Sequence, residues 1–223
     1  MKTVVVVPTY NEAKNLPELV ERLFALGMGG LELLVVDDAS PDGTAVVARA
    51  LGNSYPGRIS ILEREVKTGI GPAYVAGFQK ALELGADLVV QMDADLSHLP
   101  QYIPAILEQL LTYDVVVASR YVVGGGSDDS WGLKRRVLSR IGNFYTKIAS
   151  GVCLKDPRSG FKGYRREVLE NIGLTCLRSK GFIFQTEVAA RCQQMGSRVT
   201  EVPIMFYDRK EGQSKISLAI IFE

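Results

Sequence analysis

The sequence predicts an α/β fold in which a mostly parallel sheet is flanked by helices, and three observations support this prediction. Short apolar runs alternate with helical patterns through the first half of the chain. Their spacing is that of strand–helix–strand units, whose strands run parallel. Several of the apolar runs end in acidic or polar residues, which is where an open α/β sheet places its ligand site.

The individual elements follow from this alternation in chain order. Apolar runs predict strands at residues 3–7, 31–37, 58–62, 88–92 and 115–118. The helical patterns between them predict helices at 16–25, 44–51, 73–84 and 102–111. In the second half we expect a flexible glycine-rich loop at 123–130, helices at 133–149 and 185–195, and a strand pair within 198–207.

Composition restricts the possible functions of the chain. Its 223 residues suffice for one domain with a substantial core. The net charge of +1 gives no reason to expect a nucleic-acid partner. The three cysteines are odd in number and form no CxxC motif, which favours reduced thiols over a disulfide framework. The apolar runs fall short of the ~18 residues that a membrane span requires.

An Asp-x-Asp motif, Asp93-Ala94-Asp95, follows the apolar run at 88–92. Residues two apart in extended backbone point to the same side, so both carboxylates would face one ligand at the end of a strand. Two such carboxylates repel each other unless a cation or a proton lies between them. We therefore expect a Mg²⁺ or Mn²⁺ site that also binds a diphosphate. Turn formation and helix capping are the alternative explanation.

Three further strand ends carry polar sequence. The first ends in PTYNE at 8–12, where a dinucleotide-binding fold would have a glycine-rich turn. The second ends in DDASPDG at 37–43; only one of the two adjacent acids would face a cleft, and Asp42 is expected to be structural. The third is followed by KTGIG at 67–71, a weak match to a phosphate-binding loop. His98, the one histidine, is expected to be a turn or packing residue.

In this order, the segments resemble the inverting glycosyltransferases of family 2 that have a GT-A fold, and among them the dolichol-phosphate mannose synthases. The blocks that carry the resemblance are PTYNE (8–12), DDASPDGT (37–44), KTGIGPAY (67–74), MDADLSH (92–98), SRY (119–121), LKRRVLSR (133–140), DPRSGF (156–161), GFIFQTE (181–187) and DRKEGQSK (208–215). The resemblance implies a GT-A-like (Rossmann-like) sheet in a single domain. Residues 1–118 would form its nucleotide-sugar-binding half and residues 119–223 its acceptor-side half.

The resemblance also implies a role for individual residues. Those with nucleotide-binding roles are Pro8, Tyr10, Glu12, Asp38 and Lys67, and those with metal and sugar-nucleotide roles are Asp93 and Asp95. Those that would receive a lipid phosphate are Arg120, Arg135 and Ser139, and those that would close over the diphosphate are Arg209 and Lys215. Ser97 stands where some relatives have a glutamine at the metal, which leaves the third protein ligand open. Asp156, Ser159 and Glu187 become site-lining candidates, although capping explains the first two almost as well.

The cationic residues suit an anionic acceptor. A lipid monophosphate is already an anion at neutral pH and needs no general base to become a nucleophile. An enzyme for it must instead hold two anionic reactants together, with a metal on the diphosphate and arginines on the attacking phosphate. Arg120 and the basic residues at 134–140 supply such cations. Solvent or anionic lipid headgroups would take the members of the run that do not reach the phosphate.

The expected reaction is transfer of mannose from GDP-mannose to a polyprenyl (dolichyl) phosphate, with inversion at the anomeric carbon. The alternatives are a UDP-glucose-dependent polyprenyl-phosphate glucosyltransferase, a sugar-1-phosphate nucleotidyltransferase and a non-catalytic sugar-nucleotide-binding module. The resemblance implies a peripheral location on the cytoplasmic face of a membrane, whose surface would be a partner. Because an apolar run begins at 218, we also expect a membrane-proximal C-terminal tail or a membrane-anchoring partner.

Overall fold

The computed structural model describes residues 1–128 and 133–207, except for the side chains of residues 133–138 and 140. In these residues the strands are β1 (Thr3–Thr9), β2 (Leu31–Asp37), β3 (Ile59–Glu63), β4 (Leu88–Gln91), β5 (Val115–Ser119), β6 (Gly126–Ser127), β7 (Lys162–Arg165), β8 (Val199–Pro203) and β9 (Met205–Phe206). The α-helices are α1 (Leu16–Phe24), α2 (Thr44–Ser54), α3 (Ile70–Glu83), α4 (Ile103–Gln109), α5 (Leu133–Ser150), α6 (Arg166–Asn171) and α7 (Phe184–Gln194).

A central sheet has the strand order β3-β2-β1-β4-β7-β5-β8. Its strands run parallel except β7, which is antiparallel to both of its neighbours, β4 and β5. In β1, Val5 pairs with Leu33 of β2 on one side and with Val90 of β4 on the other. This parallel arrangement brings the carboxyl ends of β1, β2, β4 and β5 to the same edge. A small second sheet joins β6 to β9.

Apolar side chains cover both faces of the central sheet, which explains the nearly continuous valine and leucine runs of its strands. In β1, Val5 and Val7 belong to the core with α1 and α4, whereas Val4 and Val6 belong to the core with α3 and α7. Helix α3 lies very close to the sheet, because a Cβ on its Gly77 would be 2.4 Å from a Cγ of Val6. Because Gly77 has no side chain, α3 can pack this close to the sheet, and its first turns lie near the end of β4.

The predicted fold class is confirmed, and the elements of the first half lie close to their predicted positions. Two predictions for the second half need correction, and two of its elements were not predicted. Strands β8 and β9 do occur within 198–207, but they pair with β5 and β6 and not with each other. The predicted loop at 123–130 is described as far as residue 128 and contains strand β6 there, whereas residues 129 and 130 lie outside the described residues. Strand β7 and helix α6 were not predicted at all.

Strand β7 was not predicted because its sequence, KGYR, contains no apolar run. Its polar side chains are buried through hydrogen bonds instead of by apolar character. The ammonium of Lys162 donates to the carbonyl of Gln185 at 2.7 Å, and the hydroxyl of Tyr164 donates to Oε1 of Gln91 at 2.9 Å. Buried polar groups paired in this way do not follow the hydrophobic pattern on which strand prediction depends.

None of the helices in the described part of the chain combines the length and apolar character needed to cross a bilayer.

Candidate active site

Polar loops follow β1, β2, β4 and β5 at one edge of the sheet. Three non-glycine residues in these loops, Asn11, Ala39 and Leu96, have left-handed backbone with φ of 61°, 59° and 60°. Such conformations cost on the order of 1–3 kcal/mol each and concentrate at functional sites. The carboxyl edge of the sheet is therefore the candidate active site.

Asp93 and Asp95 follow β4, and neighbouring groups hold both of their carboxylates. The hydroxyl of Tyr74, in α3, donates to Oδ1 of Asp93 at 3.0 Å. The backbone N–H and the hydroxyl of Ser97 donate to Oδ1 of Asp95 at 3.1 Å and 2.5 Å. Gly160 lies against Asp93, where a Cβ would be 3.0 Å from Oδ2. The acidic pair is thus fixed by α3, by its own turn and by the loop before β7.

His98 lies among the charged groups of this edge. Its Nδ1 is 3.5 Å from Oδ2 of Asp93, and its ring packs against Phe161 and Phe206. Burial lowers the pKa of His98 below its usual value, although the carboxylates of Asp93 and Asp95 oppose this shift. The ring contacts agree with the expected packing role. The contact with Asp93 goes beyond that role and places the imidazole beside the acidic pair.

The acidic pair suits a hard divalent cation. Its donors are carboxylate oxygens, which Mg²⁺ and Mn²⁺ prefer, and such sites are usually completed by water and substrate phosphates. The buried Nδ1 of His98 has no hydrogen-bond partner within residues 1–128 and 133–207, so a polar atom beside Asp93 is left for a ligand shell. Across the same residues, no group of three or more His, Cys, Asp and Glu side chains could hold a metal. With carboxylate donors, and with positions that water and substrate phosphates usually fill, the acidic pair fits a cation that substrate helps to hold.

Two of the predicted nucleotide-binding residues, Tyr10 and Lys67, lie in contact. The ammonium of Lys67 is 3.3 Å from the centre of the Tyr10 ring, which is a cation–π contact. Nearby in sequence, Arg64 donates to the carboxylate of Asp38 at 2.5 Å, and the N–H of Gly69 is 3.4 Å from the other Asp38 oxygen. The loop at 64–69 therefore covers the ends of β1 and β2 and brings positive charge to them.

The adjacent acids Asp37 and Asp38 have different environments, as their sequence positions predict. Asp37 accepts hydrogen bonds from the hydroxyl of Thr9 at 3.1 Å and from the N–H of Ser40 at 3.0 Å, so it stabilises the turn. Asp42 likewise accepts from the N–H groups of Thr44 and Ala13, as expected of a structural residue.

The remaining two nucleotide-binding candidates, Pro8 and Glu12, lie on either side of the end of β1. Pro8 is in the strand, where it pairs with Val36, and is partly buried. The carboxylate of Glu12 accepts a hydrogen bond from Nδ2 of Asn15 at 2.7 Å, and its N–H donates to the Thr44 hydroxyl at 3.0 Å. Both therefore contribute to the shape of the loop that presents Tyr10.

Arg120 follows β5 and is held by the fully buried carboxylate of Asp156. Its Nε and Nη2 each lie 2.8 Å from one Asp156 oxygen, and its backbone N–H donates to the same carboxylate at 3.1 Å. Burial opposes the charged guanidinium, but the charge and hydrogen bonds of Asp156 outweigh it and raise the pKa of Arg120 above its ordinary value. The charge of Asp93 also acts on this guanidinium. A fixed cation therefore lies near the acidic pair.

A groove of about 450 Å³ opens beside Arg120. Its lining residues are Arg120, Tyr121, Val122, Gly125, Asn143, Phe144, Lys147 and Lys155. The hydroxyls of Tyr121 and Ser139 lie 2.7 Å apart, so the predicted phosphate-binding serine is tied to the segment that carries Arg120. The groove thus combines cations with apolar side chains, which suits a ligand that has an anionic head and an apolar chain.

Three predicted site residues cannot be placed with the others. Arg209 and Lys215 belong to residues 208–223, outside the described residues. Arg135 lies on the described backbone of α5, but its side chain is not described. Their roles stay predictions.

The structure adds Tyr74 to the candidate residues, which sequence reasoning missed. In the sequence, its helical spacing predicts only a core residue. The structure agrees with this, because its ring stacks on that of Phe184 with 5.9 Å between centres. The sequence makes Asp156 a site-lining candidate, but turn capping explains it almost as well. The bidentate contact with Arg120 comes from two loops that are far apart in sequence. We find no signal in the sequence that reveals either contact.

Comparison with known sequences agrees with this geometry. The family model for glycosyl transferase family 2 matches residues 4–173. An undecaprenyl-phosphate mannosyltransferase from Micrococcus luteus is 41% identical over 223 residues, which are 100% of this chain and 90% of that relative. A polyprenol monophosphomannose synthase from Mycolicibacterium smegmatis is 42% identical over 217 residues, which are 97% of this chain and 81% of that relative.

Solved structures show the same fold at low sequence identity. Glucosyl-3-phosphoglycerate synthase from Mycobacterium tuberculosis, in complex with Mn²⁺, UDP and glucosyl-3-phosphoglycerate, matches with a TM-score of 0.68 and 21% identity, covering 95% of this chain and 73% of that one. A mannosyltransferase from Pyrobaculum calidifontis, in complex with GDP-Man and Mn²⁺, matches with a TM-score of 0.63 and 22% identity, covering 93% of this chain and 56% of that one. At these identities the likeness concerns the fold alone.

Proposed function

Because this chain belongs to glycosyl transferase family 2, we propose that it transfers mannose from GDP-mannose to a polyprenyl phosphate. The relatives from Micrococcus luteus and Mycolicibacterium smegmatis are named for polyprenyl-phosphate mannose synthesis, at 41% and 42% identity. One observation of the site carries the proposal. The partly buried, charge-paired Arg120 lines a partly apolar groove, and the charge of Asp93 acts on its guanidinium. An anionic lipid head and a sugar diphosphate can therefore meet there.

On the donor side, Asp93 and Asp95 would hold Mg²⁺ or Mn²⁺ against the diphosphate. The cation would supply positive charge that stabilises the departing GDP. The protein contributes the fixed orientation of the two carboxylates, through Tyr74 and Ser97. Arg209 and Lys215 would add positive charge around the same diphosphate.

The nucleoside would lie against the loops after β1 and β2. Tyr10 offers a ring face for the base, and Asp38 offers a carboxylate to its N–H groups or to the ribose hydroxyls. Both are engaged by cations of the 64–69 loop, with Lys67 on the ring and Arg64 on the carboxylate. Binding of the nucleoside would therefore exchange these cationic contacts for contacts with the ligand.

On the acceptor side, Arg120, Arg135 and Ser139 would bind the lipid phosphate. A phosphate oxygen would form a bond to the anomeric carbon of mannose, while the bond from that carbon to the diphosphate oxygen breaks. The electron pair of the broken bond leaves with GDP, and the configuration at carbon is inverted. Because the nucleophile is already an anion, positioning and charge provide the catalysis and no general base is required.

We propose that α5 rests on the membrane surface that contains the acceptor. Ile141, Phe144, Tyr145 and Ile148 follow helical spacing along α5 and are between 59% and 72% exposed. Lys147, in the lining of the groove, lies on the same helix and suits anionic headgroups. The chain would thus work peripherally, on the cytoplasmic face where GDP-mannose is expected. A C-terminal tail or an anchoring partner would strengthen this attachment.

The proposal is tested by incubating the purified chain with Mn²⁺, detergent-dispersed polyprenyl phosphate and either labelled GDP-mannose or labelled UDP-glucose. We expect label in the organic phase with GDP-mannose only. If only UDP-glucose gave label, the proposed mannosyltransferase activity would be wrong and a glucosyltransferase activity would take its place. Absence of organic-phase label with either donor, from folded protein, would contradict the proposed acceptor.

A further inference from the structure

We propose that Glu201 is a positioning residue for the acceptor phosphate, acting through Asp156 and Arg120. The inference rests on the proposed function, because it concerns the site that would receive the lipid phosphate. Glu201 lies in β8, opposite Val117 of β5. It does not belong to the lining of the groove, and no sequence motif singled it out.

The carboxylate of Glu201 holds two consecutive backbone N–H groups of the loop before β7. Oε2 accepts from the N–H of Lys155 at 2.7 Å, and Oε1 accepts from the N–H of Asp156 at 2.9 Å. Both oxygens are therefore used, each on a different residue. Hydrogen bonds from backbone N–H groups to a carboxylate are shorter and stronger than neutral ones, so this contact fixes the path of the loop.

The loop that Glu201 fixes carries the partner of Arg120. Asp156 has no exposed surface, and both of its oxygens engage the guanidinium at 2.8 Å. A bidentate pair of this kind requires the carboxylate and the guanidinium to be coplanar. A small displacement of the Asp156 backbone would therefore rotate the guanidinium and change where its remaining donors point.

Two other side chains hold the same loop from different elements. Asn143, in α5, donates to the carbonyl of Lys155, and the ammonium of Lys162, in β7, lies 3.5 Å from the carbonyl of Pro157. Together with Glu201 of β8, side chains from three elements thus contact the backbone of three consecutive residues, 155–157. Glu201 makes the only contact among these that carries a negative charge, and it acts directly on the backbone of Asp156.

A purely structural role for Glu201 would lower stability and affect both substrates alike. A positioning role predicts a change that is confined to the acceptor. Glu201→Gln tests this difference, because glutamine keeps the size of the side chain but turns an amide donor toward one backbone N–H. Glu201→Asp keeps the charge and shortens the reach. Glu170→Gln is the matched control, since Glu170 is an exposed carboxylate paired with Arg166 on α6.

The measurement is steady-state transfer with each substrate varied in turn, together with the thermal unfolding midpoint of each variant. For Glu201→Gln we expect the KM for polyprenyl phosphate to rise about tenfold or more, while the KM for GDP-mannose stays within about twofold. Glu201→Asp should show a smaller rise of the same kind. Glu170→Gln should match the wild type in both constants.

A double variant tests whether Glu201 acts through Asp156. If it does, Asp156→Asn combined with Glu201→Gln should lose no more acceptor affinity than Asp156→Asn alone, because residues in one chain of contacts are not additive. Three results would overturn the role of Glu201 without affecting the proposed function. They are losses that multiply in the double variant, an acceptor KM that is unchanged in both Glu201 variants, and equal rises in the KM values for both substrates. Absence of transfer by the wild-type chain would instead overturn the proposed function.

Discussion

The hydroxyl of Tyr74 donates a hydrogen bond to Oδ1 of Asp93 over 3.0 Å. Burial, together with the charge of Asp93, raises the pKa of Tyr74 well above its usual value, so the hydroxyl keeps its proton and remains a donor. The contact joins the buried aromatic stack of α3 to the acidic pair. A side chain of the core thus orients a carboxylate of the proposed metal site.

Tyr74→Phe should weaken metal use without unfolding the chain. The ring would remain packed against Phe78 and Phe184, but Asp93 would lose an orienting donor. Loss of such a partner typically lowers metal affinity about 10- to 100-fold. The Mn²⁺ concentration that gives half-maximal transfer measures this effect. Tyr55→Phe is the control, because Tyr55 packs on Phe24 away from the acidic pair. An unchanged Mn²⁺ dependence in Tyr74→Phe would show that the contact does not matter.

Asp95→Ala should abolish transfer. The change removes one of the two carboxylates that would hold the cation, and it frees Ser97 from its two hydrogen bonds to Asp95. Asp87→Ala, at the opposite end of β4, is the control; Asp87 accepts a hydrogen bond from the N–H of Lys2 at 2.7 Å. The measurement is the initial rate of mannose transfer by each of the two variants at saturating Mn²⁺. Normal turnover by Asp95→Ala would refute the metal assignment.

Arg120→Lys should impair use of the lipid phosphate more than binding of GDP-mannose. Lysine keeps the positive charge, but it lacks the planar guanidinium, which pairs with Asp156 through Nε and Nη2 and would bind a phosphate with its remaining N–H donors. We expect the KM for polyprenyl phosphate to rise about tenfold or more. The dissociation constant of GDP-mannose, from equilibrium binding, should change little. A larger effect on the donor than on the acceptor would place Arg120 at the diphosphate instead.

Lys162 should make stability depend on pH. Burial lowers its pKa from 10.5 to about 7 in the folded chain. Between these values the unfolded chain binds a proton that the folded chain does not, so the free energy of unfolding rises with pH across this window. Well below pH 7 Lys162 is protonated in both states. The free energy of unfolding is then reduced by the full cost of burying the charge and no longer changes with pH through this group. The slope contributed by Lys162 is at most about 1.4 kcal/mol per pH unit.

Lys162→Met isolates this contribution, because the other titrating groups are shared with the wild type. The free energy of unfolding of the wild type, minus that of the variant, should increase from pH 7 to pH 10. Urea titrations at several pH values provide both quantities. A difference that stays constant over this range would mean that Lys162 is protonated in the folded chain throughout.

Acidic substitutions on the exposed face of α5 should reduce membrane binding. Ile141→Asp and Ile148→Asp would place charge among the apolar side chains that we propose to contact lipid. Co-sedimentation with phosphatidylglycerol vesicles should show weaker binding for both. Val46→Asp, at a similarly exposed valine on α2, should bind like the wild type. Equal binding by all of these variants would exclude α5 as the contact surface.

The sequence was sufficient for the strands that are buried by apolar side chains and for the acids at their ends. The position of Asp93 and Asp95 after β4 could be predicted from the apolar run before them, although both lie beyond the end of the strand at Gln91, so strand spacing does not set their orientation; their metal role stays a prediction. Strand β7 could not be predicted, because Lys162 and Tyr164 are buried through hydrogen bonds with Gln91 and Gln185, which are far away in sequence. Interactions that depend on the final packing leave no periodic pattern in the chain.

The same limit applies to the residues that orient the site. A short motif made Arg120 a candidate, and its phosphate-binding role stays a prediction. The contact of Glu201 with the backbone of Asp156 connects positions 45 residues apart. Family resemblance supplied roles for side chains that would touch substrate. It supplied none for the groups behind them, Tyr74 and Glu201, which only the folded arrangement reveals.

The proposed acceptor is an anionic lipid phosphate, and a comparison of two acceptors tests this proposal. The purified chain is incubated with Mn²⁺, labelled GDP-mannose and either polyprenyl phosphate or the corresponding polyprenol. We expect label in the organic phase with the phosphate only, and none when the metal is omitted. Equal labelling of the free alcohol would contradict it, because an alcohol requires a general base and has no charge for Arg120 to bind.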